Sequence, residues 1–208
     1  AITGYIKKAK KDGINRKKVF CSAVEHKCVL ECIQNAKVYD LEAHILKVDS
    51  QGKLDLDYAQ KCIDEDTLLV SIMATNNETG IDLQIEEIGK MCNDNGVFFH
   101  SDIAQSLHHK LFDIENSFID IVSISGPSGS GKSTFLNILG LLDSDYSGEY
   151  NFLNFDIKNL KTDQKNNIRN KSIGFVHQFF HLIPELNVLE NIFLPKLIND
   201  EKYNDSIN

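Results

Sequence analysis

The stretch Ile119-Asp-Ile-Val-Ser-Ile-Ser125-Gly126-Pro-Ser-Gly-Ser-Gly-Lys132-Ser133 sets a short apolar strand directly before a glycine-rich turn. Gly126 to Ser133 matches the pattern G-x-x-x-x-G-K-[ST], the signature of a phosphate-binding loop. Gly126, Gly129 and Gly131 let the backbone turn sharply, so that successive N–H groups point inward at phosphate oxygens. Ser128, Ser130 and Thr134 complete the expected nucleotide-binding set. Lys132 sets a cation on the terminal phosphates, and the Ser133 hydroxyl is a magnesium ligand candidate. The apolar run Phe135, Leu136, Ile138, Leu139 and Leu142 predicts a helix over 133–142, whose positive amino end adds to the site.

Upstream, strand and helix signals alternate. Strands are predicted at 18–21, 43–48, 67–74, 97–100 and 119–125, and helices at 25–36, 57–63 and 85–93. Asn95-Gly96 closes the last of these helices as a C-cap pair. Such alternation predicts an α/β fold: a mostly parallel sheet with helices on both faces. No repeat and no low-complexity linker divides the chain.

The net charge of −8 argues against a general nucleic-acid binder. No apolar run reaches the roughly 18 residues of a membrane-spanning helix, and the N-terminus has no apolar signal core. Cys21, Cys28, Cys32, Cys62 and Cys92 are odd in number and form no Cys-x-x-Cys, so free thiols in a reducing cytoplasm are expected. Seven basic residues between Lys7 and Lys18, set against Asp12, read as a solvated surface segment. His100, Asp102, His108 and His109 are a metal set only on paper, because Asp102 has a better explanation below. The polar stretch 199–208 reads as a frayed end.

From the loop onward a resemblance extends over residues 124–208. Gly126 to Asp143 (GPSGSGKSTFLNILGLLD), Gly148-Glu149-Tyr150, Ile173-Gly-Phe-Val-His-Gln178 and Leu182 to Ile192 (LIPELNVLENI) resemble an ABC transporter ATPase of the lipoprotein-release and macrolide-export type. The resemblance implies ATP with magnesium as cofactor. It makes Gln178 the Q-loop glutamine, reaching the magnesium and the attacking water. It also implies dimerisation on a membrane permease, peripheral to the inner membrane. The signature motif, the Walker B acids and the switch histidine of that family do not occur in these 208 residues.

Residues 1–126 resemble something else. Ser22-Ala-Val-Glu-His26-Lys, Leu69 to Gly80 (LVSIMATNNETG) and Phe99-His-Ser-Asp102-Ile-Ala-Gln105-Ser106 resemble a class V aminotransferase-fold cysteine desulfurase. The resemblance implies the large domain of a pyridoxal phosphate-dependent transferase. It implies that Asp102 pairs with the pyridinium nitrogen, which makes the ring an electron sink. His26 would stack on the ring, and Asn77 and Gln105 would hydrogen-bond near its phenolic oxygen. Ser125, which fits both patterns, completes the cofactor set. At one place the pattern fails: His-Lys is expected after Gly126, and Pro127-Ser128 stands there instead. The amine that would form the Schiff base with the cofactor is thereby lost.

The chain therefore reads as a join: a desulfurase-like part, 1–125, and a partial P-loop NTPase domain of ABC type, 126–208. The shared strand 119–125 is expected to stay with the first part. Residues 148–208 are expected to leave Phe152, Phe155, Phe175, Phe179 and Phe180 without a complete core. Neither catalytic set is intact on this reading, and residual ATP or phosphate binding at the loop is the expected activity. Three alternatives stand beside it: a cysteine desulfurase supplying sulfur from L-cysteine for iron–sulfur clusters and tRNA thiolation, an ABC transporter ATP-binding subunit, or a recombination or assembly product with no function. The desulfurase parent implies a homodimer that meets an iron–sulfur scaffold; no nucleic acid and no transmembrane segment are implied.

Overall fold

The structure is a computed structural model that describes residues 1–106, 117–124, 128–176 and 182–199. It divides into two compact units, Ala1–Pro127 and Ser128–Asn208. In the first unit five strands form one sheet: β1 Lys18–Ser22, β2 Glu42–Leu46, β3 Thr67–Ser71, β4 Phe98–Asp102 and β5 Ile121–Ser123. Their order is β2-β1-β3-β4-β5, and every neighbouring pair is parallel. Parallel strands need crossovers, which cover both faces, and so the central strand β3 (TLLVS) is buried at every position.

Helices α1 Ile2–Lys11 and α2 Lys27–Gln34 cover one face, where Ile2, Ile6, Ala9, Val29 and Ile33 pack with Val19, Cys21 and Leu69. Helices α3 Leu56–Cys62 and α4 Ile85–Asp94 cover the other, where Ala59, Ile88 and Cys92 pack with Phe20, Val70 and Phe99. Burying one large apolar side chain such as Phe20 or Phe99 stabilises the fold by about 1.5–3 kcal/mol. The basic N-terminal stretch is more than a solvated segment. Ile2, Ile6 and Ala9 share one stripe of α1 and are buried, while the lysines take the opposite side.

At the amino end of the sheet Arg16 fastens separate segments. Its Nη1 donates to Thr67 O at 2.8 Å and to Gly96 O at 2.7 Å, and Nη2 donates to Asn95 O at 3.3 Å. The expected strand 119–125 does join this sheet, shortened to β5. Asp120 holds its entry: Oδ2 accepts the Phe99 N–H at 2.8 Å, and Asp120 N–H donates to Phe99 O at 2.9 Å.

In the second unit the expected helix is α5 Lys132–Leu139, ended by Gly140. Its last carbonyl, Leu139 O, accepts from Tyr150 Oη at 2.7 Å, and just past its end Leu141 O accepts from Arg169 Nη1 at 2.7 Å. A two-stranded antiparallel ribbon follows (β6 Asn151–Phe152, β7 Phe155–Asp156), and then helices α6 Thr162–Ser172 and α7 Val188–Asn199. Asn187 and Glu190 cap α7 reciprocally, the side chain of each accepting the backbone N–H of the other. Among the described residues of this unit only Leu141 and Ile157 are buried hydrophobics, and Leu136, Phe155, Phe175 and Leu189 are exposed. The expected incomplete core is thus seen at Phe155 and Phe175, while Phe152 is half-buried. Phe179 and Phe180 lie outside the described residues.

Helix α4 approaches the chain before β5 so closely that only glycine fits at position 89. A Cβ there would stand 1.9 Å from Ser117 O, a backbone atom with no flexible end to swing away. Gly89→Ala should therefore destabilise the protein by about 2 kcal/mol or more, read from the midpoint of a denaturant melt. An unchanged midpoint would contradict this packing.

Candidate cofactor cleft and phosphate loop

The first unit has a topological switch point. The crossover from β1 runs to β2 on one side, and that from β3 runs to β4 on the other, so the loops at the carboxyl ends of β1 and β3 diverge. A cleft of about 320 Å³ opens at these strand ends, lined by His26, Met73, Thr75, Asn77, Asp102, Ala104 and Gln105. Four residues picked from sequence, His26, Asn77, Asp102 and Gln105, are thus brought together from three loops. Ser125 lies outside the described residues.

Each is placed by local chemistry. His26 is the N-cap of α2, with Nδ1 accepting the Cys28 N–H at 3.4 Å and facing Cys28 Sγ at 2.9 Å. Asn77 follows Asn76, whose Oδ1 accepts from Glu78 N, Thr79 N and Thr79 Oγ, and whose Nδ2 donates to Val24 O at 2.9 Å. That knot shapes the loop after β3. Asp102 ends β4 and is largely buried, with Oδ1 accepting the Ala104 N–H at 3.0 Å. Among the described residues no cation pairs with it. Thr75 Oγ1 meets Ser106 Oγ at 2.8 Å and donates to Asp82 Oδ1 at 2.6 Å, closing one wall.

Behind the cleft a polar seam crosses three strands. Ser71 Oγ lies 2.8 Å from His100 Nδ1, and His100 Nε2 lies 2.7 Å from Ser123 Oγ. Burial pushes the His100 pKa down to about 4, so the imidazole is neutral near pH 7. His100 is thereby a strand-to-strand link. His108 and His109 lie outside the described residues.

Met73, Thr75 and Ala104 line the cleft without having been marked as site residues in the sequence, and Glu25 stands behind the lining, bonded to Met73. Glu25 Oε1 accepts from Ser22 Oγ at 2.6 Å and from Met73 N at 2.7 Å. The signal was present in Ser22-Ala-Val-Glu25, a polar pair three apart at a strand's end, but nothing in sequence tells that the carboxylate turns inward. All five cysteines are free. Burial pushes the Cys21 thiol up to about 12 and raises that of Cys92 further still.

A ring with a protonatable nitrogen suits this donor set. The cleft offers a flat imidazole, two carboxamides and a largely buried carboxylate, but no amine among its lining side chains. Position 128, where a lysine would be required, holds Ser128, an exposed turn residue of the second unit.

In the phosphate loop Gly129 and Gly131 adopt φ of 84° and 82°, the left-handed region that the motif requires. Among the described residues no atom crowds either position, and the positive φ is what calls for glycine there. Lys132 Nζ donates to Ser130 Oγ at 3.2 Å, and Ser133 and Thr134 are exposed in the first turn of α5. Ser128 to Gly131 are exposed as well. Gly126 and Gln178 lie outside the described residues. Among the described residues no helix is long and apolar enough to cross a membrane.

The aminotransferase class-V family model matches residues 3–129, and the ABC transporter model matches residues 112–208. A mitochondrial cysteine desulfurase of Candida albicans is 42% identical over 121 residues, which are 56% of this chain and 25% of that protein. The cysteine desulfurase IscS of Rickettsia prowazekii is 39% identical over 128 residues, 59% of this chain and 31% of that protein. Among solved structures a NifS-like protein superimposes with a TM-score of 0.55 at 30% identity, covering 62% of this chain and 36% of its own. DndA from Streptomyces lividans gives 0.52 at 30% identity, covering 60% and 34%. The chain thus spans between a quarter and a third of the two desulfurase sequences and about a third of each of these structures. Well over half of this chain falls to one family, so it belongs to the aminotransferase class-V family, is cysteine desulfurase-like through its first unit, and continues into a segment that matches the ABC transporter family.

Proposed function

We propose that the protein carries two cofactor-binding elements in one chain: a desulfurase-like part, 1–125, that takes pyridoxal phosphate without a covalent hold, and an ABC-type part, 126–208, that binds the phosphates of ATP with magnesium. The observation that carries this reading is the gathering of His26, Asn77, Asp102 and Gln105 around one cleft beyond the strand ends. When bound, pyridoxal phosphate supplies an electron-withdrawing ring. Asp102 would hold the proton on the ring nitrogen, since a carboxylate beside it favours the charged form. His26 would lie against the ring face, and the carboxamides of Asn77 and Gln105 would donate to its ring oxygen. Ser128 has no amine to anchor the ring, and this separates the protein from the chemistry that its relatives' names describe.

At the loop Lys132 supplies the point charge and Ser133 the metal-ligating hydroxyl, with Gly126, Ser128, Gly129, Ser130, Gly131 and Thr134 around the phosphates. Gln178 would reach the magnesium. If each part keeps its parent's contacts, the first would pair with a second copy and an iron–sulfur scaffold, and the second with a permease at the cytoplasmic membrane face.

Three measurements test the reading. Sulfide release from L-cysteine should stay at reagent background with and without added pyridoxal phosphate, whereas equilibrium dialysis should show the cofactor bound, and bound at least about tenfold more weakly after Asp102→Ala. Cysteine-dependent sulfide above background would overturn the non-covalent assignment. For the loop, Lys132→Ala should weaken binding of a fluorescent ATP analogue by about tenfold or more, the loss expected of a charge-assisted contact. Equal affinity in the two proteins would remove the nucleotide site.

A further inference from the structure

We propose that Glu25 is a positioning residue of the cleft, a buried carboxyl that clips the His26 turn to the end of β3 and stores a proton in the wall behind Asp102. The proposal rests on the cleft being the binding site, but it concerns a group that the ligand does not touch.

The geometry is as follows. Glu25 sits in the turn between β1 and α2, immediately before His26, and is 5% exposed. Among the described residues both of its hydrogen bonds fall on one oxygen: Oε1 accepts from Ser22 Oγ and from the backbone of Met73, and Met73 itself lines the cleft. Two lining segments from different strand ends are therefore tied through one carboxyl. The other oxygen, Oε2, is buried with no partner among the described residues. An ionised carboxylate would leave half its charge unsolvated there, and a protonated one places a neutral O–H instead.

The charged and titratable groups around it agree. On β4 the charge of Asp102 repels a second negative charge; on β1 Cys21 is a neutral thiol; His26 adjoins it in the chain. Burial pushes the Glu25 pKa up from its ordinary value near 4.5 to about 7; the hydrogen bonds from Ser22 and Met73 pull against it, and the charge of Asp102 adds a smaller upward push. The folded protein binds this proton more tightly than the unfolded chain, so the contribution is full below pH about 4.5 and is lost as pH rises to about 7. A cation set against Asp102 would relieve the repulsion and lower the Glu25 pKa, so that filling the cleft releases the proton.

The test uses the full chain without ligand, which separates it from the cofactor reading. Glutamate side-chain carboxyl carbons are followed by NMR as pH is varied, with Glu25 assigned through its bonds to its own backbone. One carbon should titrate near pH 7, and its midpoint should move down in Asp102→Asn. Glu25→Gln imitates the protonated carboxyl, and its melting temperature should lose the fall that the wild type shows between pH about 4.5 and 7. A Glu25 carbon titrating near 4.5, or a midpoint indifferent to Asp102→Asn, overturns the proposal. The second comparison decides even if Glu25→Gln does not fold, and a purely structural clip would not move with residue 102.

Discussion

Everything in the first unit hangs on the parallel pairing of β1 with β2 and β3. Parallel strands end together, so their carboxyl-end loops converge at one rim, and the crossovers that make them parallel cover both faces with helices. Because β1 leads out one way and β3 the other, the rim parts between them, and the parting is the cleft. His26, Met73 and Asp102 come close because of register, not because of sequence distance. The amino rim shows a different design: Arg16 ties it with three bonds to backbone carbonyls.

Two family patterns overlap on residues 112–129, and the physics of that overlap is simple. Both patterns ask for an apolar strand running into a loop that meets a cofactor. One strand can satisfy both, and β5 does so by taking the desulfurase neighbour β4. What it cannot supply is the neighbours an NTPase sheet would need. Among its described residues the second unit accordingly has a ribbon of two-residue strands and few buried hydrophobics. Its glycine-rich turn nonetheless holds the left-handed conformations of its motif, since those depend on Gly129 and Gly131 themselves.

How much was legible follows from which forces act locally. Strands β1 to β4 and helices α2 to α4 carry apolar periodicity, and they appear within a few residues of their expected places. Helix α1 is masked in the sequence by its lysines, although Ile2, Ile6 and Ala9 bear the helical stripe. Helix α6 has no apolar face to detect, and α7 carries a proline, Pro195, that argues against a helix. In the cleft, His26, Asn77, Asp102 and Gln105 were readable because each belongs to a short pattern. Glu25 was not, because its importance lies in a bond to the Met73 backbone, 48 residues away, and backbone partners leave no mark in sequence.

The order of strands also has a meaning in time. Strands β1 to β4 and the helices that cover them are made from residues 2 to 102, so a ribosome delivers nearly all of the first unit's sheet before the glycine-rich turn exists. β5 is the last strand to arrive and takes the outside place beside β4, adding to a surface already assembled. Any continuation that follows such a strand meets a nascent chain whose earlier pairings are made. Vectorial synthesis thus makes the rim of this sheet the place where a change of downstream sequence disturbs the upstream architecture least.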